Sequence, residues 1–217
     1  MASIGPNELF FLLQGLKWTL ALTIIGFIGG GIFGLCVALA RVADSPAIQR
    51  ASTAYIAIFQ GTPLLMQLFV VYYGVALAGL NVDAWIAVAI AFTLHASAFL
   101  GEIWRGGIQA VPKGQTEAAN ALGLHRAQIF RHIILKPALR AVYPSLTSQF
   151  IMLTLTTSVC TSIAAYELTS VAQKIEADTF RSFEVYFSIT LLYLVISSLM
   201  MGIFSLISRA SFSYPVK

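Results

Sequence analysis

Five apolar stretches of membrane-spanning length constrain this chain more than any other feature. They cover residues 18–40, 55–77, 84–104, 142–165 and 186–207. Each is near the ~20 residues needed to cross a hydrocarbon core ~30 Å thick. In lipid the backbone must satisfy its own hydrogen bonds, so the stretches are expected to be helices. A β-barrel would need alternating segments of about ten residues, and none is seen. A mean hydropathy of +0.83 excludes an ordinary soluble domain. The expected fold is an all-α membrane protein of five transmembrane helices, with residues 1–217 as a single transmembrane domain. The opening MASIGPNELFF carries Glu8 and no basic cluster. It reads as a short surface helix leading into the first span and not as a cleaved signal peptide. Cys36 and Cys160 fall inside spans and read as small buried hydrophobes.

The net charge is +4, but its distribution says more. If the loop 105–140 faces the cytoplasm, the inner segments hold Arg41, Arg50, Arg105, Lys113, Arg126, Arg131, Lys136, Arg140, Arg209 and Lys217. The outer segments hold only Lys17, Lys174 and Arg181, a ratio of ten to three. Glu8, Asp83, Glu167, Glu176, Asp178 and Glu184 fall outside. Basic residues favour the cytoplasmic side, so the N-terminus is expected outside and the C-terminus inside. These basic residues flank spans, which argues against a nucleic-acid surface.

Glycines and prolines punctuate the spans. Gly26, Gly30, Gly34 and Ala38 recur every four residues and form a smooth stripe for close helix packing. Gly61 and Pro63 break helical geometry in IFQGTPLL, by a kink, a re-entrant start or a simple helix start. Glu102 and Arg105 stand at i and i+3 and can pair. His95 lies well inside a span, as a functional candidate or as a hydrogen-bonded neutral side chain.

Residues 112–123, PKGQTEAANALG, interrupt this apolar pattern. QTEAANAL is a run of good helix formers. Glu117 is expected in its first turn, at the positive end of the helix dipole, and Gly123 at its C-cap. A second helix over 126–135 should end at Pro137. The two make an elbow whose alanines 118, 119 and 121 leave a slim rod. Such a rod buries little apolar area of its own and suits insertion into a groove on another protein. In the fourth span LTLTTSVCTS offers a Ser/Thr cluster. It either bonds neighbouring helices or lines a polar pathway. Gln149 and Thr156, seven residues apart, share a helical face, with Thr157 close by and Ser158 at its margin. These four are the substrate-path candidates, with His95 and Ser97 as the second choice. A face of hydroxyls and an amide suits a zwitterion, whose ammonium needs acceptors and whose carboxylate needs donors.

GQTEAANALG resembles the EAA–Gly signature of transmembrane subunits of ABC importers. FQGTPLLMQLFVVYYG, GEIWRGGIQAVPKGQTEAANALG and the segment 157–168 are similar to the polar amino-acid permeases of type I importers, of the histidine, glutamine and arginine kind. The match runs collinearly from about Trp18 to Ser208. The resemblance implies that Glu117, Ala118, Ala119 and Gly123 belong to a cytoplasmic coupling helix between helices 3 and 4. That helix would dock into an ABC ATPase dimer. ATP and Mg would be bound by that partner, with no cofactor in this chain and no catalytic residue. It implies a second permease subunit, a periplasmic or lipid-anchored amino-acid-binding protein, and a multi-pass location in the bacterial cytoplasmic membrane. Three positions depart from the family pattern. Gln60 stands where Arg is usual, 135–138 reads LKPA where LPQA is frequent, and Leu155–Thr156 replaces a Lys-Asp pair. Paired permeases diverge in this last region, which favours a heterodimer over a homodimer. No GxxxxGK[ST] phosphate loop, nucleophile–base pair or metal-ligand spacing occurs. The rival reading is an ATP-independent amino-acid channel or carrier whose elbow merely joins two spans.

Overall fold

The computed structural model describes residues 6–80 and 82–211. Among these the chain is helical, with no strand. Four helical stretches are long and apolar enough to cross a membrane: α1 (Pro6–Arg41), α4 (Ala84–Gln109), the run Arg126–Ile163, and α9 (Ser182–Ser211). A bent pair, α2 (Pro46–Gly61) and α3 (Leu64–Leu77), makes a fifth crossing if it counts as one span. Its axes turn through 103° at Gly61–Pro63, where the sequence marks a break. The observed helices outrun the apolar stretches because hydropathy detects their greasy middles and not their polar ends.

α1 is one helix of 36 residues, about 54 Å long at 1.5 Å per residue. The surface helix expected before the first span is therefore the first turns of that span, with residues 1–5 outside the described part. Its buried edge follows the small-residue stripe. A Cβ on Gly30 would lie 2.5 Å from the Cβ of Ala96, and one on Gly34 would lie 2.9 Å from the backbone N of Gly101. α1 and α4 thus touch backbone to backbone, and Leu22, Phe92, Ala96, Leu100 and Leu153 fill the main core.

A second core lies at the other end of α1. Leu12 packs there with Leu168, Val171, Ala172 and Ile175 of α8 (Leu168–Thr179) and with Val185 and Ile189 of α9. The sequence places a surface helix in this loop; the helix exists, but one face of it is buried. Glu167, expected as one of several solvent-facing acids, is fully buried. Its carboxylate accepts hydrogen bonds from Ser170 N–H (2.8 Å), the Thr19 hydroxyl (3.3 Å) and the Tyr193 hydroxyl (3.3 Å), joining α1, α8 and α9. Burial raises its pKa against these donors. Cys160 is buried as expected, but Cys36 is exposed on the outer side of α1.

The elbow helix α5 (Lys113–Ala121) is followed by Arg126–Gln128, a π-helical turn over Ile129–Ile134, and α7 (Leu135–Thr156). Pro137 does not end a short helix here. The wide π turn changes the hydrogen-bond register ahead of it, with Leu135 N–H bonding to Phe130 O five residues back. The helix then continues past Pro144. It tightens into a 3-10 segment at Thr157–Ile163.

Candidate functional site

The elbow sits at the bundle end that carries Arg41, Glu102 and Arg105. Glu102 bonds Arg41 of α1 at 3.1 Å and Arg105 at 2.7 Å. Arg41 also reaches Thr53 of α2, so the Arg41–Glu102 pair ties three helices together. Arg126 pairs with Asp44 at 3.0 Å; both are almost fully exposed, and such pairs contribute little.

α5 ends in a Schellman motif. Leu124 N–H bonds to Ala119 O (3.2 Å) and Gly123 N–H to Asn120 O (2.9 Å). Gly123 has φ +77°, and a Cβ on it would meet nothing within 4 Å. The glycine is therefore demanded by backbone conformation and not by space, since a left-handed residue with a Cβ costs about 1–2 kcal/mol. Gly123→Asn should keep the elbow nearly as stable as glycine does, because Asn tolerates this conformation. Gly123→Val should loosen it. Protease cleavage within 113–125 of the purified protein measures the difference.

The alanines divide between two faces. Ala119 is buried where α5 packs on the π turn. Glu117, Ala118 and Ala121 are exposed, as is Leu122, at 81%. Leu122 is a docking candidate that the alanine pattern did not single out. Glu117 lies in the second turn of α5, because the helix starts at Lys113 with Pro112 as its cap; the dipole argument for it falls away. Beside the elbow is a groove of about 1020 Å³ whose lining includes Gln115, Ala118, Leu122, His132, Lys136 and Arg140. Because α5 packs on the π turn that runs into α7, elbow and fourth span form one lever.

The path candidates lie at the far end of that lever. Gln149 and Thr156 are both half-buried on α7. The Thr156 hydroxyl donates back to Met152 O and Leu153 O. Thr157 is fully buried, with its hydroxyl on Thr154 O at 2.8 Å. Half-buried Ser158 donates to Leu155 O. The α-helical phase shared with Gln149 stops at Thr156, where the 3-10 segment begins. On α4, buried Ser97 meets the Tyr55 hydroxyl at 2.6 Å, and half-buried His95 meets Gln67 at 3.0 Å. Gln60, the residue that departs from the family's Arg, donates to Ala98 O at 3.3 Å.

The family described as binding-protein-dependent transport system inner membrane component matches residues 30–212. The chain belongs to this family. The match contains the elbow, the bent pair from α2 onward, and the path candidates. Among curated relatives, a probable glutamine ABC transporter permease protein of Bacillus subtilis, GlnM, is 36% identical over 203 residues, covering 93% of this chain and 94% of that protein. The octopine transport system permease protein OccM of Rhizobium radiobacter is 31% identical, covering 92% and 85%. The glutamine transport system permease protein GlnP of Escherichia coli is 32% identical, covering 86% of each. A solved amino acid ABC transporter with histidines superposes with a TM-score of 0.86 at 34% identity, covering 94% of this chain and 95% of that one. The MetNI methionine ABC transporter shares the fold, with a TM-score of 0.81 at 20% identity. This family member is a multi-pass membrane component of a transport system.

Proposed function

We propose that this chain is a permease subunit of an ATP-driven importer for polar amino acids. The observation that carries the reading is the elbow: a capped helix with exposed Glu117, Ala118 and Leu122, mounted through a π turn on the helix that bears the polar path candidates. Relatives named as glutamine and octopine permeases support the solute class. The N-terminus lies outside and the elbow in the cytoplasm, on the ten-to-three basic bias; Lys217, one of the ten, lies outside the described residues. The whole chain is one transmembrane domain in the bacterial cytoplasmic membrane.

The exposed face of α5 docks into a cleft of an ABC ATPase dimer, which binds the ATP and Mg. A second permease subunit completes the path, as a heterodimer in preference to a homodimer. A periplasmic or lipid-anchored binding protein delivers the solute. Closure of the ATPases draws the elbows together, the levers tilt, and the path exchanges its inward for its outward opening, a shift between two states. Gln149, Thr156 and Ser158 line that path, and Thr157, closed off in this state, joins them in the other. With no fixed charge on this face, the solute is a neutral polar amino acid, or the mate supplies the charge.

Single cysteines at 149, 156 and 157 test this in a background lacking exposed Cys36. Cysteines at 149 and 156 should react with a small water-soluble thiol reagent, and solute-loaded binding protein should slow that reaction. The cysteine at 157 should react only when nucleotide changes the state. Three inert sites in every nucleotide state would place the path elsewhere, first around His95 and Ser97.

A further inference from the structure

The break in the second span frees several backbone carbonyls from their helical donors, those of Phe59 and Thr62 among them. Phe59 O would take its hydrogen bond from residue 63, but Pro63 has no N–H. Thr62 O would take one from Met66, whose N–H instead bonds to Pro63 O at 3.0 Å. Lipid offers no replacement donor. One side chain supplies both: the buried Gln67 amide nitrogen stands 2.8 Å from Phe59 O and 3.0 Å from Thr62 O. It also lies 2.9 Å from the Thr62 hydroxyl oxygen, which itself donates to Ile58 O.

This arrangement fixes the orientation of the Gln67 amide. Turned over, its oxygen would face two carbonyl oxygens, so the nitrogen must face them and Oε1 must face away. Oε1 stands 3.0 Å from Nδ1 of His95 on α4. An amide oxygen only accepts, so Nδ1 carries the proton. The other ring nitrogen, Nε2, has no hydrogen-bond partner among the described residues, and no partnerless side-chain nitrogen is buried there. The ring is steadied by Phe99, with centroids 4.8 Å apart. α3 packs against both α4 and the 3-10 segment that begins at Thr157, so the helix that carries Gln67 adjoins the elements that carry His95 and the Ser/Thr cluster.

We propose that Gln67 and His95 act as a solute-positioning pair: Gln67 holds the span bent and holds His95 as the Nδ1–H tautomer, and His95 Nε2 accepts a hydrogen bond from an N–H of the transported solute. The solute half of this rests on the amino-acid reading above. Gln67 acts through His95 and the backbone; of the two, only His95 touches solute. The substituted side chains separate the two jobs. Gln67→Glu keeps an acceptor for Nδ1–H but loses both donors to the broken turn. His95→Leu removes the solute acceptor and leaves the turn capped. His95→Gln restores one donor towards Gln67 and one free acceptor.

The test uses the assembled importer. Solid-state 15N NMR of histidine-labelled protein should show one Nδ1–H imidazole that disappears in His95→Leu; the chain has three histidines, so the difference assigns it. Spin labels on α2 and α3 should report an unchanged separation in His95→Leu and a changed one in Gln67→Glu. Half-saturating glutamine should rise about tenfold in His95→Leu, the expected effect of losing one hydrogen bond to a charged group, and His95→Gln should bring it back towards wild type. An Nε2–H tautomer, an unmoved half-saturation in His95→Leu, or an unmoved label separation in Gln67→Glu would overturn the proposal. If the wild-type importer takes up no amino acid, the functional reading fails, and the tautomer and label separation still decide the Gln67–His95 pairing.

Discussion

Gly30→Val should markedly lower the yield and the melting temperature of the assembled protein, whereas Gly31→Val, one residue along the same helix, should leave both unchanged. At Gly30 a Cβ would stand 2.5 Å from the Ala96 Cβ and 3.1 Å from the backbone of Ala96 and Ser97. Neither neighbour can yield by rotating a side chain. α1 and α4 would have to separate along a contact that also includes Gly26 against Phe92 and Gly34 against Gly101. Overpacking of this kind costs about 1–3 kcal/mol per site, a large share of the roughly 5–15 kcal/mol that holds a typical fold. At Gly31 a Cβ meets nothing within 4 Å. Size-exclusion yield and thermal melting of the two variants in one detergent read the difference. Equal yields would mean that the α1–α4 contact does not set the fold.

Glu117→Lys should act in the opposite way, leaving the protein assembled and stable while transport falls at least about thirtyfold. Glu117 is exposed, and its side chain takes no hydrogen bond or ion pair within the described chain. Its replacement therefore costs the fold nothing that the structure records. The loss is expected at the docked interface, where an exposed anchor of about 2 kcal/mol corresponds to that factor. Leu122→Ser should behave likewise, because a leucine left so exposed at the elbow tip gains only when a partner covers it. Normal transport by both variants would remove the elbow from the coupling scheme.

Local features of the sequence were the legible ones. The four-residue period of Gly26, Gly30 and Gly34 needs no partner to be seen, and the structure seats each of the three against α4. Gly61–Pro63 and Gly123 were legible for the same reason: a missing N–H and a left-handed turn are properties of the residue itself. What the sequence hid depends on residues far apart in the chain. Glu167 reads as one acid in an acidic loop, and only the meeting of α1, α8 and α9 reveals that three donors hold it in the core. Gly15 carried no signal either, yet it lets Leu168 approach to 2.9 Å from where its Cβ would stand. Pro137 misled because a proline stops a helix of constant register, and the π turn before it changes the register. Gln67 carries no signal of its own in the sequence; its value appears once Pro63 has left Phe59 O without a donor. Ala119 shows the limit of a composition argument. A slim rod exposes some alanines and buries others, and which is which follows from the turn it packs against.

Uphill uptake separates an ATP-driven importer from a channel or carrier. The permease, its mate, the ATPase pair and the binding protein would be placed in proteoliposomes with labelled glutamine outside and ATP inside or absent. Accumulation above the external concentration is expected only when ATP and binding protein are both present, with no exchange of preloaded solute without ATP. Equal uptake without ATP, or ready exchange across the membrane in its absence, would contradict the importer reading and identify a channel or carrier in which the elbow only joins two spans.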